Sequence, residues 1–152
     1  MAYENVLVEQ VDRVAVITLN APKVLNALSA TMVQELGAAI SDVLAGDARC
    51  LIMTGAGRAF SAGANLQAGG TDADLPPAGH VLETHYLPVL NRLRSMNIPF
   101  VTAVNGPAVG VGMSFAIMSD YAVAAKSAYF LQAFANIGLV PDGGATWVLP
   151  RI

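Results

Sequence analysis

Charge is scarce in this chain. Asp, Glu, Lys and Arg make up 12% of its 152 residues, about half the roughly 25% of an average soluble domain. Eleven acidic and eight basic residues leave a formal net charge of −3. That offers no electrostatic footprint for phosphate and excludes a basic nucleic-acid binder. Cysteine is nearly missing: Cys50 alone can make neither an internal disulfide nor a Cys-based zinc site, which fits a reducing interior. The N-terminal Met-Ala-Tyr-Glu-Asn lacks the basic and apolar regions of a signal peptide. Residues 95–119 carry no charge and are long enough to span a bilayer. They contain Pro99, Pro107, Gly106, Gly110, Gly112, Asn97 and Asn105, however, a composition that fits a buried strand, a glycine turn and a short helix better than a lipid-exposed helix. The sequence therefore reads as soluble and cytoplasmic, with no membrane partner.

Apolar residues are abundant instead, at 55%, alongside 14 glycines and 8 prolines. A disordered chain needs the opposite balance. The length is a prior for one domain over residues 1–152, large enough to bury a core. So few charges on a chain this size point to apolar area hidden in an oligomer interface, or to a chain that is part of something longer.

Residues 5–10 and 14–19 are β-branched apolar runs separated by Asp12-Arg13, the pattern of a hairpin, and Asn20-Ala21-Pro22 ends the second strand. A helix is expected next, with Ser29 or Thr31 as N-cap and Val33, Leu36, Ile40, Val43 and Leu44 on one face. Residues 50–54 read as a buried strand, and 55–63 as a glycine-punctuated loop. Residues 69–79, with two prolines and two aspartates, read as a mobile loop. Val81, Leu82, His85, Val89, Leu93 and Met96 recur at helical spacing, with Pro88 an expected kink. Further strands are expected at 100–104, 121–125 and 129–132, a helix from near Gly112, and a final loop at Pro141-Asp142-Gly143-Gly144. Strand-strand-helix units in succession predict an α/β protein.

Two glycine-rich turns follow buried strands: Gly55-Ala56-Gly57-Arg58-Ala59-Phe60 and Gly106-Pro107-Ala108-Val109-Gly110-Val111-Gly112. A strand, a glycine turn and a helix start together aim free backbone N–H groups at an anion or a polarised carbonyl oxygen. A dinucleotide site is available to both, but Phe60 stands where a third glycine is required, and Tyr121 and Lys126 are wrongly spaced for a short-chain dehydrogenase. Either turn alone is better read as a tight turn and nothing more.

Taken together the motifs say more. Phe60-Ser61-Ala62-Gly63-Ala64-Asn65-Leu66 resembles the FSAGADL segment of the crotonase, or enoyl-CoA hydratase/isomerase, superfamily. Asn20-Ala21-Pro22 with Asn26-Ala27-Leu28, Pro99 with the stretch from Ala103 to Gly110, Gly138 to Gly144, and Leu149-Pro150-Arg151 follow in family order. The resemblance implies a crotonase-type spiral of ββα units that binds an acyl-CoA thioester and stabilises its enolate. It assigns the oxyanion hole to the backbone N–H groups of Ala64 and Val111. Val111 replaces the middle glycine of the family's GGG, and Asn65 its usual aspartate. It implies substrate contacts from Lys23, near the CoA phosphates, and from Leu25, Ala62, Gly63, Ala64, Asn65, Leu66, Gly110, Val111, Ser114 and Phe134. No cofactor is implied beyond the CoA carried by the substrate, and no metal.

The hydratases of the family place two glutamates where this chain has Ser114 and Phe134, neither of which can supply the acid and base that hydration needs. Asp142, in the Pro-Asp-Gly-Gly loop, stands where some enoyl-CoA isomerases carry their acidic base. The competing reading makes Asp142 a turn residue ahead of two glycines; a nucleophilic aspartate, as in a dehalogenase-like hydrolase, is a rarer option. The isomerase pattern is the expectation, with a CoA-thioester binder without turnover as the alternative. His85 is expected to pack on its helix's apolar stripe, Glu83 to face solvent, and Trp147 and Met113 to sit in the core. The resemblance also implies trimers or hexamers, and C-terminal helices beyond the last residue of this chain.

Overall fold

A computed structural model describes residues 3–65 and 78–152. Its main sheet has five strands in the order β1-β2-β3-β4-β6. Strands β1 (Val6–Val11) and β2 (Val14–Leu19) form the expected hairpin, antiparallel, with Val6 opposite Leu19. β3 (Cys50–Gly55), β4 (Phe100–Val104) and β6 (Tyr121–Ala124) continue the sheet in parallel. Side chains alternate between the faces of a strand, so Ala15, Ile17, Leu19, Leu51, Met53, Phe100 and Val104 line one buried face.

That face is covered first by helix α1 (Ala30–Ala45). Ser29, not Thr31, caps it: its Oγ accepts the Met32 N–H at 3.1 Å. Val33, Leu36, Ile40 and Val43 are buried as their spacing predicts, while Leu44 is half-buried.

The second long helix departs from its predicted form. It consists of α2 (Ala78–Val81), a single π-type turn (Leu82–Tyr86) and α3 (Leu87–Arg94). Pro88 has no N–H for the Thr84 carbonyl and its ring crowds that carbonyl. The turn before it widens accordingly, and the Leu87 N–H reaches back to the Leu82 carbonyl. From Tyr86 onward the helix keeps ordinary α spacing, and its buried stripe is centred one residue later than the sequence pattern placed it. Tyr86, Val89, Leu90 and Leu93 are buried, whereas His85 is only half-buried, with Nδ1 2.7 Å from the Thr84 hydroxyl. The expected packing role of His85 thus belongs to Tyr86. Of the loop expected at 69–79, Gly79 lies in α2; residues 69–77 fall outside the described residues.

A second, thinner layer crosses the ends of the first. Leu28 bridges Ala64, Ser61 bridges Ala108, and β5 (Ala108–Val109) pairs with β7 (Phe130–Leu131), all in parallel. Each strand-strand-helix unit therefore gives one strand to each layer before its helix, such as α4 (Val111–Ile117) or α5 (Ala145–Val148). Met113 is buried as expected. Trp147 is not: it is 47% exposed, with the guanidinium groups of Arg94 and Arg151 at 4.0 and 4.1 Å from its ring centre. Two arginines stack on its faces where core side chains were expected.

Candidate functional site

Two asparagines build the floor of the site. Asn26 is fully buried at φ 54°; its Oδ1 accepts the Ala21 N–H at 2.9 Å, and its Nδ2 donates to the carbonyls of Ala56 and Ala59 at 2.9 and 2.8 Å. Asn105, at the end of β4, accepts the Gly55 N–H at 3.2 Å and donates to Gly57 and Ala59. Together they satisfy the backbone of the first glycine turn, a loop with no ladder of its own.

The second layer then brings both glycine turns to one place. The Phe60 and Ser61 N–H groups donate to the Pro107 carbonyl, and the Val109 N–H donates to the Ser61 carbonyl. A β-carbon at Gly63 would lie 2.7 Å from the Val109 carbonyl oxygen, so the backbones touch there. Gly110 takes φ 54°, ψ −129°, a conformation closed to residues with a β-carbon. This lets Val111 begin α4 with an ordinary negative φ, its branched side chain buried. The family's middle glycine is thus dispensable at Val111, because Gly110 carries the strained torsion. Among the described residues, no backbone acceptor takes the N–H of Ala64 or of Val111. For Ala64 the cause is strand geometry: its neighbours pair with Leu28 on one side, so its own N–H points to the other. For Val111 the cause is its place at a helix start.

Asp142 is held against α4 through its backbone. Ser114, fully buried one turn into α4, donates through Oγ to the Asp142 backbone carbonyl at 3.1 Å. Gly143 takes φ 59°, and a β-carbon there would sit 2.9 Å from the Ser114 Cβ. The carboxyl oxygen Oδ1 of Asp142 is buried with no hydrogen-bond partner among the described residues, and burial raises its carboxyl above the ordinary 3.8. The Tyr86 hydroxyl is pushed up to about 12 by burial and then by the negative charge of Asp142. It donates to the Leu28 carbonyl at 2.8 Å. Leu28 in turn donates to Gly63. Hydrogen bonds and close approaches join Tyr86, Leu28, Gly63, Val109, Gly110, Ser114 and Asp142 in that order, and the charge of Asp142 acting on Tyr86 closes them into a ring.

The other residues singled out by sequence distribute around this ring. The Leu25 carbonyl accepts the Ala62 N–H at 2.9 Å, which joins the 22–28 segment to the Ser61 turn. Lys23 is exposed on the short 3-10 turn of that segment (Pro22–Val24). Ala62 and Asn65 are half-buried, Gly63 buried and Ala64 exposed. Leu66 lies outside the described residues. Phe134 is buried, and its ring tip lies 4.0 Å from where a β-carbon of Gly110 would be. Sequence reasoning missed Tyr86, whose signal is its helical spacing from Val89, Leu90 and Leu93. It also missed Gln132, whose carboxamide is buried without a partner among the described residues. Its signal is a lone amide directly after an apolar run.

Comparison with known proteins places this arrangement. Residues 9–152 match the family model described as enoyl-CoA hydratase/isomerase. A "Probable enoyl-CoA hydratase" of Rhodobacter capsulatus is 44% identical over 152 residues, covering 99% of this chain and 58% of that protein. The 1,2-epoxyphenylacetyl-CoA isomerase of Escherichia coli is 41% identical over 142 residues, covering 91% of this chain and 54% of that one. Among solved structures, an enoyl-CoA hydratase subunit I from Geobacillus kaustophilus superposes with a TM-score of 0.85 at 34% identity, covering 98% of this chain and 57% of its own. The chain spans a little over half the length of the curated relatives it matches. With the model matched across nearly the whole chain and both strand layers shared with the solved fold, this protein belongs to the enoyl-CoA hydratase/isomerase family, the crotonase superfamily.

Proposed function

We propose that the protein performs enolate chemistry on an acyl-CoA thioester, shifting the double bond of a 3-enoyl-CoA to the 2-position. The N–H groups of Ala64 and Val111 receive the thioester oxygen. Asp142 removes a proton from the α-carbon, the electrons pass into the carbonyl as a dienolate, and Asp142 returns the proton at the γ-carbon. Charge on the oxygen develops only as the proton leaves, so two preorganised donors act on the transition state more than on the bound substrate. The resemblance to the family supports contacts to CoA from Lys23, Leu25 and the Ala62–Asn65 turn, with Leu66 beyond it. Gly110, Val111, Ser114 and Phe134 fit the acyl side of the site. No cofactor enters the reaction as drawn.

One observation carries this reading: the buried carboxyl oxygen of Asp142 has no partner among the described residues; the family resemblance supports it, by assigning a hydratase's two acids to the positions of Ser114 and Phe134. A carboxylate with weakened solvation is a stronger base than one on the surface, and a single base suffices to move a proton between carbons. Hydration needs a second acid that this ring does not supply. The exposed apolar side chains of β6, β7 and the following turn, including Tyr121, Val123, Phe130 and Val140, favour a covered surface in the working protein. A homotrimer or hexamer with further helices fits that surface. The test is a pair of assays on the same preparation. Isomerisation of a 3-enoyl-CoA proceeds, and hydration of crotonyl-CoA is negligible; hydration as the faster reaction overturns the proposal.

A further inference from the structure

The Ala64 half of the site depends on a residue that touches neither the hole nor its glycines. The peptide group of Leu28 holds both neighbours of Ala64: its N–H donates to the Gly63 carbonyl at 2.7 Å, and its carbonyl accepts the Asn65 N–H at 3.2 Å. The direction of the Ala64 N–H is set by this clamp, because in a parallel pairing the middle residue faces away from its partner strand. The clamp is itself held at one further point. The Tyr86 hydroxyl, carried by a helix 58 residues away in sequence, donates to the same Leu28 carbonyl at 2.8 Å in a buried setting.

We infer that Tyr86 is a positioning residue for the oxyanion hole: its hydroxyl fixes Leu28, and through Leu28 the aim of the Ala64 N–H. Burial and the Asp142 charge keep the hydroxyl protonated, hence a donor, through the whole working pH range. The inference rests on the enolate reading of the site but is separable from it by experiment.

The probe is hexanoyl-CoA, saturated and unable to isomerise, labelled with ¹³C at its thioester carbonyl and bound to the native chain, Tyr86→Phe and Asp142→Asn. Aligned donors polarise the carbonyl and lower its stretching frequency. The native chain and Asp142→Asn show the same lowered frequency, and Tyr86→Phe moves it back toward the value in water. With 3-enoyl-CoA, Tyr86→Phe loses about 10- to 100-fold in kcat while KM stays within about twofold. An unshifted carbonyl in the native chain, or a native-like one in Tyr86→Phe, overturns the inference. Native turnover by Asp142→Asn overturns the base assignment instead and leaves the carbonyl result to judge Tyr86. Should Tyr86→Phe fail to fold, amide exchange in the unmodified chain decides. The Asn65 amide is protected by the clamp, and exchange as fast as at Ala64 refutes it.

Discussion

Adding one methyl group at Gly112 tests whether the two glycine turns must touch. A β-carbon there lies 2.7 Å from both the Cβ and the Oγ of Ser61 and 2.9 Å from its carbonyl oxygen. Ordinary carbon contacts lie at about 3.5–4.0 Å, so roughly 1 Å must open between the first turn of α4 and the Ser61 turn. Ser61 cannot yield easily. Its Oγ donates to the Asn26 carbonyl at 2.8 Å and accepts the Gly63 N–H at 3.2 Å. Overpacking of this kind costs about 1–3 kcal/mol, and the helix propensity of alanine over glycine returns about 1 kcal/mol, so the net loss of stability is roughly 0–2 kcal/mol. Catalysis suffers more, because the same shift separates Val111 from Ala64. A 1 Å misplacement costs about 100-fold in rate, equivalent to about 2.7 kcal/mol of barrier. Urea unfolding and 3-enoyl-CoA isomerisation on Gly112→Ala measure both. Gly79→Ala is the control: its β-carbon meets nothing within 4 Å among the described residues, so it stabilises by up to about 1 kcal/mol at native rate. A Gly112→Ala protein with native stability and native rate refutes the reasoning.

Asn26→Ala strips the partner from the Ala56 carbonyl and the Ala21 N–H at a buried position and leaves the Ala59 carbonyl only its longer bond from Asn105. It is expected to cost about 3–5 kcal/mol by urea unfolding, whereas exposed Asn91→Ala stays within about 0.5 kcal/mol. Asp142 gives a pH-dependent stability. Its folded carboxyl is raised by burial, so the folded protein holds the proton more tightly than the unfolded one. The group's stabilising contribution is full below pH 3.8 and is lost as pH rises through the raised value. Asp142→Asn therefore melts higher than the native protein near neutral pH, and the difference vanishes on acidification below 3.8. Thermal melts across that range check the sign.

The first layer was plain in the sequence because β2, β3 and β4 are long enough for alternation to show, and α1 because its cap and stripe agree. The glycine turns were visible as turns, yet neither alone argued for chemistry; their contact comes from the second layer. Of that layer only β7 was legible, inside the apolar run expected as a strand at 129–132. The layer's strands are single bridges or residue pairs, too short for any period, and are ordered only by what they pack against. Tyr86 was missed because the stripe was counted through His85, Val89 and Leu93, whereas the buried face runs through Tyr86, Val89, Leu90 and Leu93, an equally regular helical spacing. Trp147 was misplaced because composition favours burying a tryptophan, and nothing in a linear pattern shows Arg94 and Arg151 meeting on its two faces. Val111, by contrast, departs from the family's glycine at no structural cost, since the torsion that demands glycine sits one residue earlier.

The central claim is that Asp142 moves the proton. It is tested most directly by following a 3-enoyl-CoA by NMR with the native chain and with Asp142→Asn, alongside calorimetric binding of the same thioester. The account predicts native isomerisation, a rate lowered about 10²- to 10⁴-fold in Asp142→Asn, and binding that is nearly unchanged. Near-native isomerisation by Asp142→Asn, with activity abolished instead in Ser114→Ala, contradicts it.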